Sequence, residues 1–121
     1  MFVKIDQPIP NSLVLLMDHS VGVPPDSLGS AIVAATPTCI AIGTVSEFDH
    51  SVSIAITDNY EAKNIGLVKV HAGVLSVPTM NLSLVNTANA ILATAGVDST
   101  STSIEVWVDD QREPTEIVIY V

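Results

Sequence analysis

Residues 52–57 (VSIAIT) alternate large apolar side chains with small or polar ones. Because successive side chains of a strand point to opposite faces, Val52, Ile54 and Ile56 share one face. The small and polar residues between them share the other face. This pattern is typical of a strand that directs one face into a core.

Similar short apolar runs recur along the chain between clusters of Gly, Pro, Asn and Asp, which favours strands joined by turns. Residues 39–45 (CIAIGTV) precede VSIAIT across the loop SEFDHS, and we expect these two runs to pair as a hairpin. Residues 30–35 (SAIVAA) and the same CIAIGTV run flank Thr-Pro-Thr, which predicts a tighter hairpin. Residues 104–110 and 117–121 predict a third hairpin near the end of the chain.

The longest alternating run is residues 67–77 (LVKVHAGVLSV), which predicts a long strand. Val68, Val70, Ala72 and Val74 fall on the same side of this strand. We expect them to form its apolar face, with the intervening residues on the wetter face.

Residues 82–95 break the alternation, because their apolar residues recur at the spacing of an amphipathic helix. The residues that carry this stripe are Leu84, Val85, Ala88, Ile91, Leu92 and Ala95. Gly96 follows as a C-terminal cap. We therefore expect one domain over residues 1–121, of the β-rich α+β class. It would contain an antiparallel sheet or small sandwich of about eight strands, with one helix at about 82–95.

Thirteen Asp and Glu residues face only four Lys and Arg, which gives a net charge of −9. Nucleic-acid binding needs cationic groups that displace counterions from phosphates, so the charge balance excludes a nucleic-acid partner. It equally disfavours an anionic membrane surface. The apolar runs are far shorter than the roughly 20 residues of a membrane span, and no signal-peptide core follows Lys4. We therefore expect no membrane association and a cytoplasmic location.

The chain is 48% apolar and only 14% charged, where about 25% charged residues is usual. One small core cannot hide this much apolar surface, which predicts a subunit interface and hence a homo-oligomer. A self-assembling structural subunit is accordingly an alternative functional hypothesis.

The tetrapeptide DHSV occurs twice, at residues 18–21 and 49–52. Neighbouring residues cannot form a catalytic triad with one another, because a triad needs side chains that converge from different segments. Both copies lie where an apolar run ends, and there Asp and Ser start turns by hydrogen bonding to their own backbone. We interpret both copies as turns.

His19, His50 and His71 are weak candidates for metal ligands, since a catalytic zinc site needs three protein ligands. No HExxH or HxH spacing, paired Cys or EF-hand loop supports a metal site, and no Gly-rich phosphate loop supports a cofactor. Cys39 lies in an apolar run and is interpreted as a small buried hydrophobe. A small metal-dependent or hydrolytic enzyme is therefore the least favoured hypothesis.

Carboxylates crowd the C-terminal hairpin around the only Trp of the chain. The residues concerned are Glu105, Trp107, Asp109, Asp110, Glu113 and Glu116. An aromatic residue among carboxylates suits the anchoring of a basic partner, the alternative being that Trp107 packs in the interior. The leading hypothesis is a non-enzymatic protein–protein interaction module whose acidic surface docks a basic partner. An inhibitor or immunity-type protein directed against a nuclease or toxin has this character.

Overall fold

A computed structural model describes residues 1–59 and 66–121. These residues form ten strands and one short 3-10 helix, Pro10–Ser12. The strands are β1 (Phe2–Gln7), β2 (Leu13–Met17), β3 (Val33–Thr36), β4 (Cys39–Gly43), β5 (Val52–Thr57), β6 (Val68–Ser76), β7 (Asn81–Asn86), β8 (Ile91–Gly96), β9 (Ser101–Val108) and β10 (Glu116–Tyr120).

The strands form two five-stranded sheets. Sheet A has the order β1-β5-β10-β9-β6, and sheet B has the order β3-β4-β2-β7-β8. Neighbours are antiparallel except β5 and β10, which run parallel. The β-rich class is confirmed, with ten strands in the described residues where about eight were expected. In residues 1–59 and 66–121, no helix has the length and apolar character needed to cross a bilayer.

The two sheets face each other across the main hydrophobic core. Val52, Ile54 and Ile56 of β5 are fully buried in this core, as their alternation predicts. From sheet B, Val14 and Leu16 of β2 pack into the same core. The small residues of β5 consequently lie on the outer face of sheet A.

Apolar side chains are also buried on the outer faces of both sheets. On sheet A, Val118 and Tyr120 of β10 pack with Leu67, and Trp107 lies against them. On sheet B, a second outer cluster packs with Leu28. Its buried members are Leu15, Met17, Cys39, Ala41 and Val85. Part of the apolar excess is thus buried within a single chain.

The helix predicted at about 82–95 is wrong, because these residues form the β7–β8 hairpin. The side-chain oxygen of Asn86 accepts hydrogen bonds from the backbone N–H groups of Ala88 and Ala90, at 3.0 Å each. Asn89 has a φ of 64°, in the left-handed region that Asn tolerates and a helix interior does not use. The turn chemistry of the two Asn residues therefore overrides the helical spacing.

The apolar spacing was misleading because β7 is apolar on both faces, so large apolar residues follow one another along it. The register with β8 passes from Leu84–Ala93 to Val85–Ile91, so the extra residue of the bulge is Leu92 of β8. Leu84 points into the main core, whereas Val85 belongs to the outer cluster of sheet B. Both faces of β7 are thus apolar and buried, which removes the alternation that normally identifies a strand.

The hairpin predicted between residues 39–45 and 52–57 is also wrong, since β4 lies in sheet B and β5 in sheet A. The connecting segment crosses from one sheet to the other. There the N–H of Thr44 donates to the backbone oxygen of Ser12 (2.9 Å), and the N–H of Val45 donates to that of Pro114 (3.1 Å). The β3–β4 and β9–β10 hairpins form as predicted.

Of the predicted apolar face of β6, Val70 packs against the main core, but Val68 is 45% exposed and the prediction is wrong for the residues that follow. The register with β9 shifts between Lys69 and His71, which reverses the faces of the residues that follow. As a result Leu75 is fully buried and Val74 is 64% exposed.

Candidate protein-binding surface

The predicted carboxylates lie along two neighbouring strands, β9 and β10, and on the loop that joins them. Glu105 and Trp107 occupy the outer face of β9, and Glu116 begins β10. Asp109 follows β9 directly, and its backbone N–H donates to the backbone oxygen of Glu116 (3.2 Å). We call the set the acidic hairpin; its members are Glu105, Trp107, Asp109, Asp110, Glu113 and Glu116.

Trp107 is half-buried and fixed in orientation. Its indole Nε1–H donates a hydrogen bond to Glu105 Oε1 (2.9 Å). Its ring meets Tyr120 edge-to-face, with the centroids 6.3 Å apart and the planes at 90°. Leu67 and Val118 pack in the same cluster, so Trp107 stabilises the outer face of sheet A. Only part of its ring is exposed for contact with a partner.

Asp109 organises the loop between β9 and β10. Its carboxylate accepts hydrogen bonds from the backbone N–H groups of Thr115 and Glu116 (3.0 Å each) and from the Thr115 hydroxyl. Partial desolvation alone would raise the pKa of Asp109, but these hydrogen bonds outweigh it and lower the pKa. The carboxylate is therefore ionised at neutral pH and directed into the loop.

Asp110 forms a second turn in the same loop. Its Oδ1 accepts hydrogen bonds from the backbone N–H groups of Glu113 (2.9 Å) and Arg112 (2.7 Å), which lower the pKa of Asp110. The side chains of Glu113 and Glu116 make no hydrogen bond to any residue in the described part of the chain. Asp109 and Asp110 thus shape the loop, while Glu113 and Glu116 remain available to a partner.

The fold brings Asp6 of β1 close to the acidic hairpin, with one strand of sheet A between them. Ser53 of β5 is paired with Asp6 of β1 on one side and with Glu116 of β10 on the other. Since Asp109 lies next to Glu116, three carboxylates form a row at one end of the sheet. Sequence reasoning missed Asp6 because it lies at the opposite end of the chain, and the alternation of exposed residues in β1 was its single signal.

The Lys and Arg residues in the described part of the chain lie on or beside this outer face of sheet A. Lys4 of β1 is paired with Ala55, Lys69 of β6 is paired with Trp107, and Arg112 lies in the β9–β10 loop. In the described ranges the one ion pair joins the N-terminal amine to Asp58 (2.9 Å). The outer face of sheet A therefore has an acidic end and an apolar middle bordered by lysines.

The fold resembles that of ComJ. The crystal structure of ComJ, an inhibitor of the DNA-degrading activity of NucA from Bacillus subtilis, matches with a TM-score of 0.72 at 11% sequence identity. The match covers 98% of this chain and 92% of ComJ. At this identity the likeness shows the fold alone. No protein-family model matches the chain, and neither does any curated protein.

The three candidate metal ligands lie apart in this ComJ-like fold. His19 follows β2, with its Nε2 3.1 Å from Asn89 Oδ1, and His50 precedes β5, with its Nδ1 against the backbone oxygen of Ser51. His71 lies on the edge strand β6, where burial lowers its pKa. Among the residues described, no three His, Cys, Asp or Glu side chains are grouped so that they could hold a metal ion.

The first DHSV segment forms a turn, as predicted, and also makes a long-range anchor. Asp18 Oδ1 accepts hydrogen bonds from the N–H (3.1 Å) and hydroxyl (2.7 Å) of Ser20. Its Oδ2 accepts from the N–H and hydroxyl of Thr79, both at 2.8 Å. Desolvation would raise the pKa of Asp18, but the four hydrogen bonds together lower it to about 2. This buried carboxylate joins two loops rather than serving a reaction.

Two further sequence candidates have structural roles. In the second DHSV segment the N–H groups of Asp49 and His50 both donate to the backbone oxygen of Ser46 (3.0 and 3.2 Å), which forms the predicted turn. Cys39 is fully buried in the outer cluster of sheet B, and desolvation raises its pKa to about 11. A thiol in this state is not an activated nucleophile.

Proposed function

We propose that this chain is a non-enzymatic inhibitor that docks onto a basic protein, with nucleases as the partner class. The observation that carries the proposal is the match of nearly the whole chain, both sheets included, to ComJ, which inhibits a DNA-degrading enzyme. The net charge of −9 independently favours a protein that binds a basic partner.

The acidity supports a nuclease as the partner because an enzyme that cleaves nucleic acid presents cationic groups to phosphates. A carboxylate surface can occupy the same groups, and its field speeds the encounter with a positively charged partner. We assign this contact to the acidic hairpin, with Glu113 and Glu116 toward the partner. Trp107 and Asp109 would hold the surface in shape beneath them.

The chemistry of the reactive side chains also supports binding rather than catalysis. The thiol of Cys39 is buried, and the carboxylate of Asp18 is fully engaged by Ser20 and Thr79. An inhibitor needs neither group to react, because it acts by covering the active site of its partner.

Neutralising Glu113 and Glu116 together (E113Q/E116Q) is expected to slow association with an inhibited nuclease about 10-fold at low salt. The two carboxylates contribute to electrostatic steering, which added salt screens, so the difference should largely disappear at high salt. The measurement has two stages. A panel of purified basic DNA endonucleases is first assayed for loss of plasmid cleavage on titration with the chain. Association rates of the inhibited enzyme are then measured by stopped flow for the wild type and the variant.

The matched control is D26N/D98N, which removes the same charge from two exposed positions away from the acidic hairpin. It should slow association by less than about 2-fold, since distant charges act only through the overall field. Equal slowing by both variants would contradict the assignment to the acidic hairpin. Failure to inhibit any nuclease of the panel would contradict the proposed function itself.

Homo-oligomerisation and a cytoplasmic location stay predictions. The outer clusters of sheets A and B reduce the apolar surface that an interface would need to cover. Several large apolar side chains remain exposed, namely Phe2, Val23, Phe48, Val74 and Ile91. Light scattering on the free chain and on the complex gives the native mass and the stoichiometry together.

A further inference from the structure

A shallow trough runs along β5 on the outer face of sheet A. The outward residues of β5 are small, namely Ser53, Ala55 and Thr57, whereas the flanking strands carry larger side chains. Phe2 and Lys4 of β1 form one wall, with Glu116 and Val118 of β10 on the other, around a cavity of about 120 Å³. We call this feature the β5 trough.

The register of the three strands explains the shape of the trough. Phe2 is paired with Thr57 and Lys4 with Ala55 on the antiparallel side of β5. On the parallel side, Val118 is paired with Ala55. Across the three strands, each small side chain of β5 lies between larger side chains of β1 and β10, which leaves a gap above it. These gaps line up along β5.

The chemistry of the trough changes from apolar to acidic along its length. Phe2, which is 64% exposed, lies at one end, and Ala55 and Val118, 7% exposed each, form the floor and wall of the middle beside Lys4. At the other end Asp6 and Glu116 flank Ser53, on strands that lie about 10 Å apart. Neither carboxylate has a hydrogen bond or ion pair with a described residue.

We propose that the β5 trough accepts an arginine side chain of the protein partner. An arginine has an aliphatic stem that packs on apolar surface and a cationic end that pairs with carboxylates, in the same order as the trough. Its planar guanidinium presents donors in several directions, which suits two carboxylates on either side better than the compact ammonium of lysine. The inference rests on the proposed function for the identity of the partner, but the trough itself can be tested alone.

Lys4 opposes this ligand because its ammonium lies on the wall between Phe2 and Asp6. Removing its charge (K4Q) should therefore tighten the binding of a cationic side chain about 3-fold. An anionic ligand would respond in the opposite way. This variant consequently fixes the sign of the charge that the trough accepts.

The probe is the peptide acetyl-Gly-Arg-Gly-amide, titrated into the whole chain and followed by amide chemical shifts in NMR. Shifts are expected at Ser53, Ala55, Thr57 and Val118, with weak, roughly millimolar affinity. The same peptide with citrulline, which has the shape of arginine without its charge, should bind at least about 10-fold more weakly. A55L fills the trough and should abolish the shifts. E116Q keeps the shape and should weaken binding several-fold, which covers the case in which A55L does not fold.

The proposal is overturned if the arginine peptide shifts other residues, if citrulline binds equally well, or if K4Q weakens binding. With an inhibited nuclease, A55L should raise the Kd at least about 10-fold. If A55L and E116Q did not change inhibition, the trough would be refuted as a contact with the partner, but the proposed function would not be. If the arginine peptide bound in the trough but the chain inhibited no nuclease, the proposed function would be refuted and the trough would still be a cation site.

Discussion

Replacing Asp18 by Asn (D18N) is expected to lower the free energy of unfolding by about 3 kcal/mol. The carboxylate is 2% exposed and accepts four hydrogen bonds, two from Ser20 and two from Thr79. An amide in its place keeps one accepting oxygen and turns an NH2 group toward one of these donor pairs. Buried donors that face another donor carry their full desolvation cost. The variant therefore weakens the contact between the loop after β2 and the turn before β7.

The same carboxylate makes the stability depend on pH in acid. In an unfolded chain an Asp has a pKa of about 3.9, whereas the pKa of Asp18 in the folded chain is about 2. Because the folded pKa is the lower one, the ionised carboxylate stabilises the native state above about pH 4. This contribution, about 2 to 3 kcal/mol for a shift of this size, is lost as the pH falls toward 2.

Urea unfolding of the wild type and D18N, repeated from neutral pH down to about pH 2, measures both effects. The difference between the two proteins should be largest at neutral pH and should shrink below about pH 4. D26N is the control, since Asp26 is exposed in the same connection, and it should change the stability by less than about 0.5 kcal/mol. A D18N protein as stable as D26N would refute the buried anchor. A difference that stayed constant with pH would refute the role of the ionised form.

The turn at Asp18 was predictable from sequence, but its anchor was not. An Asp with Ser two residues later at the end of an apolar run is a local turn signal, and Asp18 and Ser20 form that turn. Thr79, the second partner, is 61 positions away and carries no local sign of the contact. Single-sequence patterns report local chemistry, whereas this anchor depends on which loops the two sheets bring together.

The same distinction explains which strands were predicted. Residues 52–57 and β9 each direct their aliphatic residues into the main core, so the alternation in their sequences is intact. In β7, both Leu84 and Val85 are buried, on opposite faces, and the bulge of the hairpin lies opposite them, at Leu92 of β8. Apolar clusters on the outer face of a sheet remove the contrast on which a period of two depends. The expected helix was a consequence of this two-sided burial.

The candidate surface was predictable where it is local in sequence. Glu105 to Glu116 lie within one hairpin, so their closeness in sequence is enough to predict that they share a surface. The chain could not indicate that Asp109 and Asp110 have their oxygens engaged by the loop. Nor could it indicate that the parallel pairing of β5 with β10 places Asp6 in the same row, because parallel neighbours are set by the global topology.

Replacing Gly22 by Ala (G22A) is expected to lower the free energy of unfolding by about 2 kcal/mol. A Cβ at this position would lie 2.7 Å from Cβ of Met17 and closer still to its Sδ, and Met17 is only 3% exposed. The sulfur can rotate away, but Cβ of Met17 is fixed by the backbone of β2. The loop must therefore lift, which strains the hydrogen bond from the Gly22 N–H to the backbone oxygen of Asp18 (2.9 Å). Lifting also exposes the outer cluster of sheet B.

A thermodynamic cycle with Met17 isolates the cause. M17A removes two of the three close atoms, Sδ and Cγ, so G22A should cost about 1 kcal/mol less in that background than in the wild type. G96A is the matched control, because a Cβ on Gly96 has no neighbour within 4 Å and should change the stability by less than about 0.5 kcal/mol. Urea unfolding of the four cycle proteins and the control measures the free energy of unfolding of each, and hence the coupling between residues 17 and 22. If G22A were as mild as G96A, or equally costly in both backgrounds, contact with Met17 would not be the reason that glycine is needed at residue 22.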